Sequence, residues 1–143
     1  MPMHHRVFGF FRKEGAMPLV RVSFIKGRSD GFGEKIGDIV HRSMVETMNV
    51  PALDRFQIIT EHEKKDLIYD PNYLDIPRTN GVIFIQITLN EGRTVSLKQS
   101  FYKMVTTLLN RELGVRSEDV LINLVEVSKE NWSFGNGIAQ YAE

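Results

Sequence analysis

The chain repeats itself. Shifted by 65 positions, Gly27-Arg28-Ser29 falls on Gly92-Arg93-Thr94, Val50 on Val115, Asp54 on Asp119 and Glu61 on Glu126. The apolar residues Ile36, Ile39, Val40, Met44 and Met48 fall on Phe101, Met104, Val105, Leu109 and Leu113. Shared punctuation at one fixed period marks a supersecondary unit built twice. Whatever the fold, it has to accommodate the same unit two times over.

Each half reads as strand, turn, helix, strand. Leu19 to Ile25 is rich in β-branched and aromatic residues, as a strand requires. Lys26-Gly27-Arg28-Ser29-Asp30 is a turn ending in helix N-cap residues. From about Gly33 to Met48 the apolar spacing is three and four, which predicts an amphipathic helix stopped by Asn49 and Pro51. Arg55 to Thr60 is the second strand. The later half repeats this with a strand over 81–89, a turn over 90–94, a helix over 95–113 capped by Gly114, and a strand over 120–127. The fold expected is α+β, with two tandem β-α-β units, a four-stranded core sheet and both helices on one face. Strands within a unit run parallel, joined by a right-handed crossover. The stretches over 20–25 and 82–89 are the most continuously apolar and are expected at the centre.

With 143 residues this is one domain's worth of chain, long enough to bury a core without a disulfide or metal. Lys+Arg and Asp+Glu both number 18, so no basic excess points to nucleic acid. There is no cysteine, which excludes a thiolate metal site and a cysteine nucleophile. The four histidines lack ligand spacing with carboxylates, and no metal is assigned. No apolar run approaches the ~20 residues of a membrane span. The expectation is a soluble cytoplasmic domain, with no nucleic-acid or membrane partner.

Residues 1–16 lie outside the repeat, and the first strand starts abruptly after Met17-Pro18. Lys13-Glu14-Gly15 can be encoded by a purine-rich stretch of the kind bacterial ribosomes pair with, shortly before the Met17 codon. Residues 1–16 are therefore read as an extension, either leader or arm, and 17–143 as the domain. Its halves are 17–61 and 81–127, followed by a tail rich in aromatics and glycine. If Met17 is the start, its removal leaves Pro18 with a free secondary amine. Reference α-amino groups titrate near 7.7–8.0, close to the operating pH that suits a general base. An internal proline nitrogen is an amide without basicity.

Met17-Pro18 opening a strand, two β-α-β units and a Gly92-Arg93-Thr94 turn before the second helix resemble the tautomerase superfamily, whose members use an amino-terminal proline. The closing Asn131-Trp132-Ser133-Phe134-Gly135-Asn136-Gly137 resembles the malonate semialdehyde decarboxylase branch. The resemblance implies a tautomerase fold like that of macrophage migration inhibitory factor, a homotrimer, and no metal or organic cofactor. It also implies a small carboxylate-bearing 2-oxo or 3-oxo acid as substrate. Carried over residue by residue, Pro18 matches the catalytic proline and Asp54 the aspartate after the first helix. Arg93 matches the arginine that holds the substrate carboxylate, and Trp132 and Phe134 match the aromatic wall. One departure stands out: Glu91 occupies the place of a second arginine, which weakens the case for a strict decarboxylase.

The residues by themselves leave blander readings open. Asp54 and its repeat partner Asp119 could each brace a strand. Arg93 could be a solvated turn residue like Arg28, with Arg78 of the long 62–80 connection as the next carboxylate-binding candidate. Trp132 and Phe134 could belong to a core or a subunit interface. If residues 1–16 are retained, Pro18 has no amine, and the chain would be a catalytically silent homotrimer that binds small molecules.

Overall fold

The alternation of Val20, Val22 and Phe24 with Arg21 and Ser23 gives the first strand one apolar face, and that face is buried. In the computed structural model, which describes residues 17–142, this strand is β1, Leu19–Ile25. It is followed by α1 (Phe32–Thr47), β2 (Phe56–His62), β3 (Ile83–Asn90), α2 (Val95–Leu113) and β4 (Val120–Val127). The sheet order is β2-β1-β3-β4. β1 and β2 pair in parallel, as do β3 and β4, while β1 and β3 pair antiparallel. The two β-α-β units therefore meet at the central pair, and the strands expected at the centre are there.

Both helices cover one face of the sheet. The α1 stripe of Ile36, Ile39, Val40 and Met44 and the α2 stripe of Phe101, Val105 and Leu109 share one core with Val20, Val22, Phe24, Ile85, Ile87 and Leu89. At roughly 1.5–3 kcal/mol per buried large apolar side chain, this core is the main source of stability. The helices are tied at the surface by Arg42 and Glu112, 2.7 Å apart.

Boundaries differ from the sequence reading by a residue or two. The first helix has no side-chain cap from Ser29 or Asp30; its N-cap is Gly31, held at φ 77°. Glycine serves there because the chain must turn through the left-handed region to enter the helix. The second helix ends as expected at Gly114, at φ 67°, and at its start the Thr94 hydroxyl accepts from the Leu97 N–H. His41 of α1 is buried, and its Nε2 donates to the Ala52 carbonyl at 2.8 Å.

The long connection before β3 is anchored along its length. Leu67 joins Ile25 and Val82 in a second small core. Arg78 donates to the carbonyls of Tyr73 and Ile76 at 3.0 and 3.2 Å.

Candidate active site

The topology gives the sheet two unlike ends. At one end β1 and β2 begin and β3 and β4 finish; the turn before β2, the Asn90–Thr94 turn and the C-terminal tail all gather there. Arg28 and Arg78 lie at the other end, beyond the finish of β1 and before the start of β3. Pro18, Asp54, Arg93, Trp132 and Phe134 all belong to the first end.

Pro18 and Asp54 each stand just ahead of one of two paired strands, β1 and β2. Leu19 pairs with Phe56 on one side and Thr88 on the other. Continuing the antiparallel register back sets Pro18 opposite Leu89 and Met17 opposite Asn90. Asp54 lies two residues before Phe56, the first residue of β2. Pro18 and Met17 are buried, as is Asp54. The Asp54 N–H donates to the Pro51 carbonyl at 3.0 Å, which closes the tight turn leading into β2.

Arg93 is held by backbone. Its Nε donates to the Met48 carbonyl at 3.1 Å and its Nη1 to the Asn90 carbonyl at 3.1 Å. The guanidinium thus joins the end of α1 to the end of β3, and a cation beside the last carbonyls of a helix is electrostatically favoured. Burial pulls the Arg93 guanidinium below its ordinary value, opposed by the nearby Glu126 carboxylate. The group stays charged at neutral pH, because arginine starts too high to lose its proton there. Glu126 is itself paired with Lys98 at 3.0 Å.

The tail folds its aromatics into one stack. Trp132 and Phe134 lie with centroids 5.2 Å apart and planes 13° from parallel, and Tyr141 meets Phe134 edge-on at 5.1 Å. Gly135, Asn136 and Gly137 all have positive φ, turning the chain back so that Gln140 can accept from the Phe134 N–H at 2.9 Å. The stack is fastened to the sheet by Trp132, whose indole N–H donates to Asn90 Oδ1 at 2.6 Å.

A family model described as tautomerase enzyme matches residues 54–135, and a second of the same description matches 18–75. The probable tautomerase YusQ of Bacillus subtilis strain 168 is 43% identical over 127 residues, covering 89% of this chain and all of that protein. The chain belongs to the tautomerase family. The probable tautomerase YrdN of the same organism is 35% identical, over 87% of this chain and 96% of its own. Among solved structures, a malonate semialdehyde decarboxylase is 32% identical with a TM-score of 0.78, over 86% of this chain and 95% of its own. The FG41 malonate semialdehyde decarboxylase inhibited by 3-bromopropiolate is 37% identical with a TM-score of 0.80, over 86% and 93%.

Within this tautomerase chain, Arg93 is at the Pro18 end of the sheet and Arg28 is not. Glu91 is exposed, and its carboxylate meets the Ser128 hydroxyl at 3.4 Å. Asn90, which contacts both Arg93 and Trp132, escapes sequence reasoning. Its one signal is adjacency to Glu91 in the turn, since nothing in an asparagine's residue type announces burial at a strand end. Among the described residues, no group of three or more histidine, aspartate or glutamate side chains is placed to hold a metal.

Proposed function

We propose that this chain is a cofactor-independent tautomerase of small 2-oxo or 3-oxo carboxylic acids. Pro18 acts as an amino-terminal base once the residues before it are removed, and Arg93 binds the substrate carboxylate. The observation that carries this reading is the convergence of a clamped, partly buried guanidinium with the start of β1 at one end of the sheet. The family model that begins its match at Pro18 supports the same assignment. So does the length of the YusQ match, which equals the stretch from Met17 to the end of this chain.

In this reading Arg93 takes the carboxylate through charge-assisted hydrogen bonds, its plane fixed in advance by the two carbonyls it already holds. A free α-amino group ordinarily titrates close to neutral pH, the range that suits a general base. The neutral amine removes a proton from one substrate atom and delivers it to another. For phenylenolpyruvate the 2-hydroxyl proton leaves and C3 gains one, so the substrate's composition is unchanged. Asp54 orients the start of β1 and thereby the amine. Trp132 and Phe134 exclude water, which strengthens each charge interaction.

A second reading, decarboxylation of malonate semialdehyde, is favoured by the 32% and 37% identities to two decarboxylases. Glu91 speaks against it, since a carboxylate at that turn does not assist a second anionic group.

Assembly as a homotrimer accords with the uncovered sheet face. Phe56, Ile58, Leu121 and Val125 are 37–49% exposed on the side away from the helices. A fused 4-OT with the same fold, 21% identical, is described as a symmetric trimer.

The test uses the form starting at Pro18, assayed with phenylenolpyruvate and with malonate semialdehyde. Accelerated ketonisation of the first supports the tautomerase reading. Acetaldehyde and carbon dioxide from the second alone would replace it with the decarboxylase reading. Neither reaction above the buffer rate would contradict both.

A further inference from the structure

Asn90 is 1% exposed, and both its backbone and its side chain are fixed. The backbone carbonyl accepts from Arg93 Nη1 at 3.1 Å, and Oδ1 accepts from Trp132 Nε1 at 2.6 Å. The second contact decides which way the amide faces. An indole N–H can only donate, so the atom it meets must be the oxygen. Nδ2 is then the other arm of the amide, and this buried nitrogen has no hydrogen-bond partner among the described residues. A buried donor left unmatched is costly, and native proteins seldom keep one without a use.

The register gives the strand neighbour of Asn90. Asn90 lies opposite Met17 when the β1–β3 pairing is continued from Leu19 and Thr88. Resting on the reading that the mature chain starts at Pro18, loss of Met17 removes the segment facing Asn90. The chain then begins at Pro18, opposite Leu89 in the same continuation, one residue from Asn90.

We infer that Asn90 is a catalytic residue whose Nδ2 donates to the 2-oxo, or enolate, oxygen of the substrate, and that this selects 2-oxo monocarboxylates. Arg93 and Asn90 are neighbours joined by a hydrogen bond, which suits a carboxylate and an oxygen on adjacent carbons. A 3-oxo acid carries its oxygen one atom further away. Donors fixed in advance toward developing negative charge are among the larger contributions to catalysis. Trp132 is then a positioning residue: besides covering the site, it sets the amide so that N–H groups, and not oxygen, face the substrate. A neutral amide also suits a substrate with a single carboxylate better than a second arginine would.

The experiment compares two ligands that differ by one oxygen, phenylpyruvate and 3-phenylpropanoate, bound to the form starting at Pro18. In Asn90→Ala, phenylpyruvate is expected to bind at least 10-fold more weakly, with 3-phenylpropanoate changed by less than about 2-fold; these follow from losing one charge-facing donor. For phenylenolpyruvate, kcat is expected to fall on the order of 100-fold. Asn90→Leu, closer in volume, carries the comparison if the alanine variant does not fold. Trp132→Phe should lower kcat in the wild-type background and add little in the Asn90→Ala background, because its effect runs through the amide. Equal weakening of both ligands, or an unchanged kcat, would overturn the assignment. Binding needs no turnover, so this outcome is separate from the fate of Pro18. A Pro18 that 3-bromopropiolate fails to label, with the ligand difference intact, would sink the base assignment and leave Asn90's role standing.

Discussion

Asp119 accepts two hydrogen bonds from Thr79, one from its N–H at 2.7 Å and one from its hydroxyl at 2.6 Å. The bonds tie the chain before β3 to the start of β4. Asp54 occupies the repeat-related position, two residues before β2 at the opposite end of the sheet. Duplication has thus put a carboxylate at both ends of the sheet, one holding the internal segment at Thr79 and one at the end where Pro18 lies.

The two aspartates should part company on mutation. Asp119→Ala should cost about 3 kcal/mol, since hydrogen bonds to a charged group are worth roughly 1.5–3 kcal/mol each and the site is buried. Urea unfolding measures this, and activity per folded molecule should not change. Asp54→Asn should lower kcat for phenylenolpyruvate by roughly 10-fold or more, as expected when a positioning group near a base is lost. An Asp54 variant with lower stability but normal kcat would make it a brace like Asp119.

The two turn arginines offer the same contrast. Arg93→Ala should reduce kcat/KM by roughly 10- to 100-fold, the equivalent of about 1.5–3 kcal/mol for a charge-assisted bond. Arg28 lies over the Phe32 ring, 4.1 Å from its centroid. Arg28→Ala should cost about 0.5–1 kcal/mol of stability and leave kcat/KM unchanged. Equal losses of activity would mean the site is not confined to the Pro18 end.

These contrasts also mark how far the sequence could be read. The repeat and the apolar spacing are enough for both α-helices and all four strands of the described residues, because both record what each residue faces within its own unit. The start of α1 departs from the residue types, since a left-handed Gly31 enters the helix in place of a side-chain cap from Ser29 or Asp30. Arg93 was legible through the Gly-Arg-Thr turn and the family resemblance. Asn90 was not, because its importance comes from Trp132, 42 residues away in the chain, meeting it at a strand end. Long-range contacts of single polar residues leave no periodicity.

Gly33 sits where α1 approaches the sheet closely. A Cβ there would lie 2.6 Å from Ile59 Cγ2 and 3.1 Å from Phe24 Cε1. Replacing a helical glycine with alanine ordinarily gains about 1 kcal/mol, but overpacking costs roughly 1–3 kcal/mol. Gly33→Ala should therefore be destabilising in thermal unfolding. A raised Tm would show that α1 can move off the sheet at little cost.

The ion pair between the helices predicts a small acid effect. Hydrogen bonding from Arg42 holds the Glu112 carboxyl below its ordinary value. A carboxyl depressed in the folded state stabilises above its unfolded pKa of about 4.3, and this is lost as pH falls through the lower folded value. The pair is exposed, so salt should screen it. Glu112→Gln should slightly flatten the loss of stability below about pH 4 at low salt and do nothing detectable at high salt. An effect that persists in high salt would contradict the surface assignment.

The proposed chemistry depends on a free, reactive amine at Pro18. Treating the form that starts at Pro18 with 3-bromopropiolate and sequencing its peptides by mass spectrometry tests this directly. The account predicts one adduct on the Pro18 nitrogen, loss of tautomerase activity in step with labelling, and protection by phenylpyruvate. The chain with residues 1–17 attached should remain unlabelled there. An unmodified Pro18 in the shortened form, or equal activity in the two forms, would contradict it.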